Sequence, residues 1–217
     1  MPAKPVLMVM ARWPSAGRCK RRLTSDLGSL PLQHADERAA HLQRQLLAHT
    51  MAVANRLRLE GHLELAIAVS GLAPRGARRW GRTLQVDRTV LQRGGSLGCR
   101  LRHLLMAFRR SDPGRGLLLI GTDLPGLNHH DLLRAVEFLQ QEDLILGPAD
   151  DGGYWLIGLS EALLQQPARW PIQDIPWGSP TVLESTMHRA QAAGLDPALL
   201  ASRQDIDRIS DLQPWLT

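Results

Sequence analysis

Leu144-Ile145-Leu146-Gly147-Pro148-Ala149-Asp150-Asp151-Gly152-Gly153-Tyr154-Trp155-Leu156-Ile157-Gly158-Leu159 sets two adjacent carboxylates and two glycines between two apolar runs. Short apolar runs bounded by turn residues read as buried strands, so the segment is a strand, an acidic turn and a second strand. A glycine pair lets backbone approach a ligand with no side chain in the way. Strand ends of this kind are where an α/β sheet receives a polyanionic substrate and its metal.

Outward from that segment, apolar runs with strand character alternate with helical patterns. Val6 to Ala11 is the first strand, and Leu32 to Leu59 carries apolar residues at helical spacing with Gly61 just beyond. Leu63 to Ser70 is the second strand and Leu84-Gln85-Val86 a short third, followed by a helix over Leu97 to Phe108. Gly116 to Ile120 is a strictly apolar central strand running into Gly121-Thr122-Asp123-Leu124-Pro125, where the proline ends it. Helices over His129 to Gln140 and Pro180 to Ala193 flank the acidic segment, and Ile209 to Leu216 closes the chain. The alternation argues for an α/β sandwich around a largely parallel sheet. The 217 residues, 44% hydrophobic, suit one substantial core, and neither a repeat nor a linker divides them, so residues 1–217 read as a single domain.

The apolar run after Met1-Pro2-Ala3-Lys4-Pro5 is too short for a signal peptide, and no stretch is long enough to span a bilayer. Cys19 and Cys99 form neither a disulfide framework nor a C-x-x-C metal motif, which leaves a cytoplasmic protein as the plain reading. The net charge is +5 and the pI about 10.2, with Lys4 and Lys20 the only lysines. Arginine runs such as Arg75 to Arg82 suit polyanions, yet one Tyr and two Phe offer few base-stacking platforms. Nucleotide phosphates, rather than nucleic acid, are therefore the expected anion.

Three loops follow strand ends. Ala11-Arg12-Trp13-Pro14-Ser15-Ala16-Gly17-Arg18-Cys19-Lys20-Arg21-Arg22-Leu23 gathers Arg12, Arg18, Lys20, Arg21 and Arg22 beside Gly17. Guanidinium groups match phosphate oxygens in bidentate fashion, and a lysine adds a point charge. The spacing is neither a P-loop nor a dinucleotide fingerprint, and a merely solvated basic loop is the bland alternative. Gln92-Arg93-Gly94-Gly95-Ser96-Leu97-Gly98-Cys99-Arg100 opens a helix with a glycine-rich turn, which suits an anion or simply a cap at Ser96. Asp123, at the end of the most apolar strand, suits a hard divalent ion, its alternative being a turn aspartate.

Arg12-x-Pro14-x-x-Gly17-x-x-Lys20-x-Arg22-Leu23, Gly121-Thr122-Asp123-x-Pro125, Leu146-Gly147-Pro148-Ala149-x-Asp151-Gly152-Gly153-Tyr154, Trp177-x-x-Pro180-Thr181 and Asp205-x-Asp207 together resemble the DUF2064 glycosyltransferase-like proteins. Those are relatives of the molybdenum-cofactor and phospholactate nucleotidyltransferases in the nucleotide-diphospho-sugar transferase (GT-A) superfamily. The resemblance runs in order along nearly the whole chain. It implies a GT-A fold, a three-layer α/β/α sandwich with a mostly parallel mixed sheet, binding a nucleotide whose phosphates are bridged by Mg²⁺ or Mn²⁺. By position, Arg12, Lys20 and Arg22 resemble the phosphate loop, and Gly17 beside them and Gly94 and Gly95 in the glycine-rich turn are the further residues expected at the nucleotide phosphates. Asp123 and Asp207 resemble the metal ligands, and Gly152, Gly153, Tyr154 and Trp177 fall on the acceptor side. Two departures stand out: Lys20-Arg21-Arg22-Leu23 replaces the usual Lys-Thr-Arg-Leu, and Ser96 replaces a common aspartate.

The chemistry expected is charge neutralisation by metal, Arg and Lys, with Asp151 or Asp150 as base for a hydroxyl acceptor and Lys20 as a catalytic cation. A nucleotide sugar and a small-molecule acceptor are the first pairing. A nucleoside triphosphate with a phosphorylated acceptor, releasing pyrophosphate, is the second and needs no strong base. A nucleotide-binding protein of the same fold without turnover is the third. His129-His130 read as a helix start, since no partner lies at zinc-ligand spacing. Trp13, Trp155 and Trp177 stack on a ligand or pack, whereas Trp80, Trp170 and Trp215 pack. Neither cysteine is expected to be a nucleophile.

Overall fold

The computed structural model describes residues 3–30 and 33–215. The helix start expected at Leu32, the chain end expected at Leu216 and the packing expected of Trp215 lie outside what is described. Among the described residues, seven strands form one mixed sheet: β1 (Val6–Arg12), β2 (Glu64–Ser70), β3 (Arg88–Leu91), β4 (Leu117–Ile120), β5 (Leu144–Pro148), β6 (Tyr154–Leu159) and β7 (Ala198–Leu199). Their order is β3-β2-β1-β4-β6-β5-β7, and β6 runs antiparallel to both β4 and β5 while the other pairings are parallel. The helices are α1 (Arg21–Gly28), α2 (Ala35–Leu59), α3 (Pro74–Thr83), α4 (Leu97–Ser111), α5 (His129–Phe138), α6 (Glu161–Leu164) and α7 (Val182–Ala192).

β1 explains why the central strands are apolar at every position. Leu7, Val9 and Ala11 face a core shared with α2, α3 and α5, whereas Val6 and Met8 face one shared with α4, α6 and α7. Side chains alternate along a strand, so a sheet covered on both faces buries both sets. The result is the expected three-layer α/β/α sandwich, and full burial of residues such as Leu65, Ile67 and Leu118 supplies its main driving force, about 1.5–3 kcal/mol per large aliphatic side chain.

Several boundaries differ from the sequence reading. The third strand is Arg88–Leu91, not Leu84-Gln85-Val86, because Leu84 closes α3 and Gln85 takes a left-handed φ of 57°. The Arg75–Arg82 run belongs to α3, with Pro74 in the first turn. The basic loop ends earlier than expected, since Arg21 and Arg22 open α1. His129 starts α5 as expected, capped by Asn128, whose side chain accepts from Asp131 N while Asp131 accepts from Asn128 N. Ser96 caps α4 by accepting from Cys99 N at 3.3 Å. Among the described residues, no helix is long and apolar enough to cross a membrane.

Candidate functional site

The strand order reverses direction at β1: the chain proceeds from β1 outward to β2 and β3, then returns to place β4 on the other side. In an open α/β sheet the crevice beyond the carboxyl ends at such a point receives ligands. A cavity of about 400 Å³ opens there, lined at the ends of β1 and β4 by Arg12, Lys20 and Asp123 among others.

Three distant pieces of chain build its acidic wall. Lys20 stands directly before α1 with a left-handed φ of 48°, and its side chain is only 2% exposed. Asp123 leaves the end of β4. The closing segment docks beside both, because Leu23 and Leu27 of α1 pack with Ala39 of α2, Ile209 and Leu212. Asp26 then accepts from Ile209 N at 3.2 Å and from the Arg208 guanidinium at 3.3 Å, while Ile206 N donates to the Asp123 carbonyl at 2.9 Å. Lys20 Nζ consequently lies 2.9 Å from Asp123 Oδ1 and 3.6 Å from Asp207 Oδ1, and also donates to the Ile206 carbonyl. Arg22 reaches Asp207 Oδ2 at 3.0 Å, and Gln43 Nε2 donates to Thr122 Oγ1 at 2.9 Å and Asp123 Oδ1 at 3.3 Å. A buried ammonium needs such partners, since an unpaired one would be costly to desolvate.

The charges around this wall are unevenly matched. Burial pushes the Asp205 carboxyl up to about 6, helped by the negative charges of Asp151, Asp207 and Asp123. Burial also raises the Cys19 thiol, against the opposing pull of Lys20, which fits an unreactive cysteine. On the other wall the Arg100 guanidinium is held below its ordinary value by burial and by Arg12.

Of the residues singled out in the sequence, Arg12, Arg18, Lys20, Arg21, Asp123, Tyr154, Trp155 and Asp207 line the cavity, whereas Gly17, Arg22, Gly94, Gly95, Gly152, Gly153 and Trp177 do not. Asp150 and Asp151 are exposed and outside the lining as well. Asp150 accepts from the Ser202 hydroxyl, and Asp151 Oδ1 accepts from Gly153 N at 2.8 Å. Gly152 meets the protein's own backbone: at φ 86°, a Cβ there would lie 1.9 Å from the Pro180 carbonyl oxygen. Tertiary packing by itself requires a glycine at that position. Trp177 packs edge-on against Tyr154, with ring centroids 6.0 Å apart, and its indole nitrogen abuts Gly98. Trp155 is buried and donates to the Ala201 carbonyl at 3.2 Å. Trp13 is 38% exposed and stacks edge-on against Trp80. His129 bonds Glu60 at 2.6 Å on the surface.

The sequence carries no sign of Gln43, and it assigns no role of their own to Gln92 and Arg100, which bracket the glycine-rich turn, or to Asp205, which opens the Asp205-x-Asp207 pattern. Arg100 lies one helical turn beyond the Ser96 cap, a spacing that puts it on the cavity side of α4.

The acidic wall suits a divalent cation. Asp123 and Asp207 offer hard oxygen donors. Among the described residues, no three His, Cys, Asp or Glu side chains form a ready-made cage.

A family model described as an uncharacterized protein conserved in bacteria (DUF2064) matches residues 52–179, more than half of the chain. No curated protein matches the chain. A crystal structure described as that of a proposed nucleotide-diphospho-sugar transferase from Desulfovibrio desulfuricans G20 is similar at 25% identity and a TM-score of 0.76, covering 96% of this chain and 84% of that one. The manganese complex of Rv0371c from Mycobacterium tuberculosis H37Rv, 18% identical with a TM-score of 0.53, covers 98% of each chain. The inositol-1-phosphate CTP transferase of T. maritima, 13% identical with a TM-score of 0.57, covers 99% of this chain and 94% of its own. The last two likenesses concern the fold alone.

Proposed function

The chain belongs to the DUF2064 family, and on that premise we propose that it is a metal-dependent transferase working on a nucleotide-activated donor, with a nucleotide sugar as donor in the first reading. The observation that carries this reading is the Lys20 ammonium between Asp123 and Asp207 in the cavity at the sheet's reversal point. Asp123 and Asp207 would hold Mg²⁺ or Mn²⁺, which when bound supplies charge neutralisation at the donor phosphates. Arg12 binds and orients those phosphates, Lys20 adds its positive charge from behind the carboxylates, and Arg22 steadies Asp207 from outside the cavity. The likeness to the Desulfovibrio nucleotide-diphospho-sugar transferase supports this choice of donor. In this reading Asp151, with Asp150 beside it, takes the proton of an acceptor hydroxyl, and Tyr154 lies on the acceptor side.

A specific observation favours a second reading, nucleotidyl transfer from a triphosphate to a phosphorylated acceptor. Asp150 and Asp151 stand outside the cavity lining with hydrogen bonds already made, and an attacking phosphate needs no base. Thermal melts with nucleotide sugars and nucleoside triphosphates, each with and without Mg²⁺ or Mn²⁺, separate the readings, because a ligand of the native state alone raises its stability. Stabilisation by metal with nucleotide sugars is expected. Stabilisation by triphosphates alone turns the assignment to nucleotidyl transfer, and no response to any nucleotide defeats both. Binding of either class with no turnover across a panel of acceptors identifies a non-catalytic nucleotide binder.

A further inference from the structure

The wall of the cavity opposite the carboxylates carries a positive charge that no ion pair among the described residues balances. Arg100 projects from α4, its Nε is shielded from solvent and has no hydrogen-bond partner, and a second atom of the same wall, Ser70 Oγ, is likewise buried and unpartnered among the described residues. Its NH1 donates to a neutral acceptor, Gln92 Oε1, at 3.1 Å. Gln92 is itself fixed by the sheet: its Nε2 donates to the Ala68 carbonyl at 2.7 Å and the Ala11 carbonyl at 3.3 Å, so its oxygen can only turn towards Arg100. The charge felt most strongly by Arg100 is that of another cation, Arg12. Shielding part of a guanidinium beside another cation costs free energy that an anion would offset, and a side chain held by a pinned glutamine is positioned rather than stray. Beneath it the floor is apolar, formed by Met10, Leu101, Leu119 and Ile157.

We propose that Arg100, with Arg12 and the Ser70 hydroxyl, forms an oxyanion subsite distinct from the Asp123–Asp207 wall, which takes the phosphate or carboxylate group of an organic substrate whose body rests on the apolar floor. The subsite lies on the β2–β3 side of β1 and the carboxylates lie on the β4 side, so one bound molecule or pair of molecules is read at two charged ends. The inference rests on the transferase reading for calling that molecule a substrate, whereas the binding itself does not depend on it. Glucose 1-phosphate and glucuronate serve as probes of the two oxyanion sources.

The test is calorimetric titration of both probes in EDTA, against wild type, Arg100→Gln and Arg100→Lys. At least one probe is expected to bind wild type without metal, to weaken about tenfold or more in Arg100→Gln, and to recover in part with lysine, which keeps the charge and loses the fork. The tighter probe identifies the oxyanion. Equal binding to wild type and Arg100→Gln, or no binding of either probe to wild type, overturns the subsite. Should Arg100→Gln fail to fold, the arginine Nε–Hε resonances of the wild type decide. A selective shift of the Arg100 signal on adding a probe upholds the proposal, and an unmoved signal overturns it. If the wild type binds a probe through Arg100 yet ignores every nucleotide, the transferase reading falls and the subsite stands.

Discussion

Gly152 and Lys20 show how differently a residue can announce itself. Lys20 is one of two lysines in an arginine-rich chain, and that rarity singles it out before any coordinates. Its partners could not be read, because Asp123 and Asp207 reach it from positions about a hundred residues or more away, a distance that periodicity does not encode. Gly152 was legible as a special position, but not as the point where the acidic turn passes against the Pro180 carbonyl. Substituting Gly152→Ala forces both a positive φ on an alanine and an overlap with rigid backbone. A loss of about 2 kcal/mol or more is expected in urea unfolding, and a loss under half of that would show that the turn relaxes easily. Arg100 stayed hidden because a single arginine in a basic helix carries no distinguishing pattern.

Elements rich in buried aliphatics were readable, and thinly apolar ones were not. β1, β2, β4, β5 and β6 lie near where their apolar runs put them. α1 and α3 did not register, since each buries only two or three residues, Leu23 and Leu27 in one and Ala77, Trp80 and Gly81 in the other. β3 is half-exposed and begins with an arginine, so it lacks the signature of a core strand. Arg88, that first residue, ties neighbouring elements together. It joins Glu64 of β2 to Asp112 at the end of α4, and its hydrogen bonds are the largest cause holding both carboxyls below their ordinary range. A carboxyl whose folded value is depressed contributes stability that is full above the ordinary range, about 4, and is lost as pH falls through the folded value. Melting temperature is therefore expected to fall on acidification below about pH 4, and Asp112→Asn to lower it at neutral pH while flattening that acid limb. The neutral-pH loss should be about 1–3 kcal/mol, since the Asp112 side chain is 7% exposed and its removal leaves Arg88 and Arg115 under-paired. Parallel acid limbs for the two proteins would contradict this assignment.

A second element-scale device is the clasp between α1 and the closing segment. Asp26 holds Ile209 N and Arg208, and through them the approach of Asp207 to Lys20. Asp26→Ala is expected to cost about 1 kcal/mol of stability. It should weaken metal-dependent nucleotide binding severalfold although Asp26 lies outside the cavity lining, and unchanged binding in that variant would show that Asp207 is held in place without the clasp.

At the scale of the whole molecule, one sheet with helices on both faces brings the ends of β1 and β4 together where the strand order turns. The alternation of strands and helices made this architecture legible, and the crevice follows from it. What the crevice contains is set by three loops and a closing segment, whose meeting depends on tertiary packing such as that of Leu23, Leu27 and Ile209. A nucleotide held through a divalent cation at Asp123 and Asp207 is tested most directly by calorimetric titration of nucleotide sugars and triphosphates into the wild type and Asp123→Asn, with Mg²⁺ or with EDTA. Binding to the wild type is expected to require the metal and to weaken about tenfold or more in Asp123→Asn. Equal affinity in both proteins, or binding indifferent to EDTA, would contradict it.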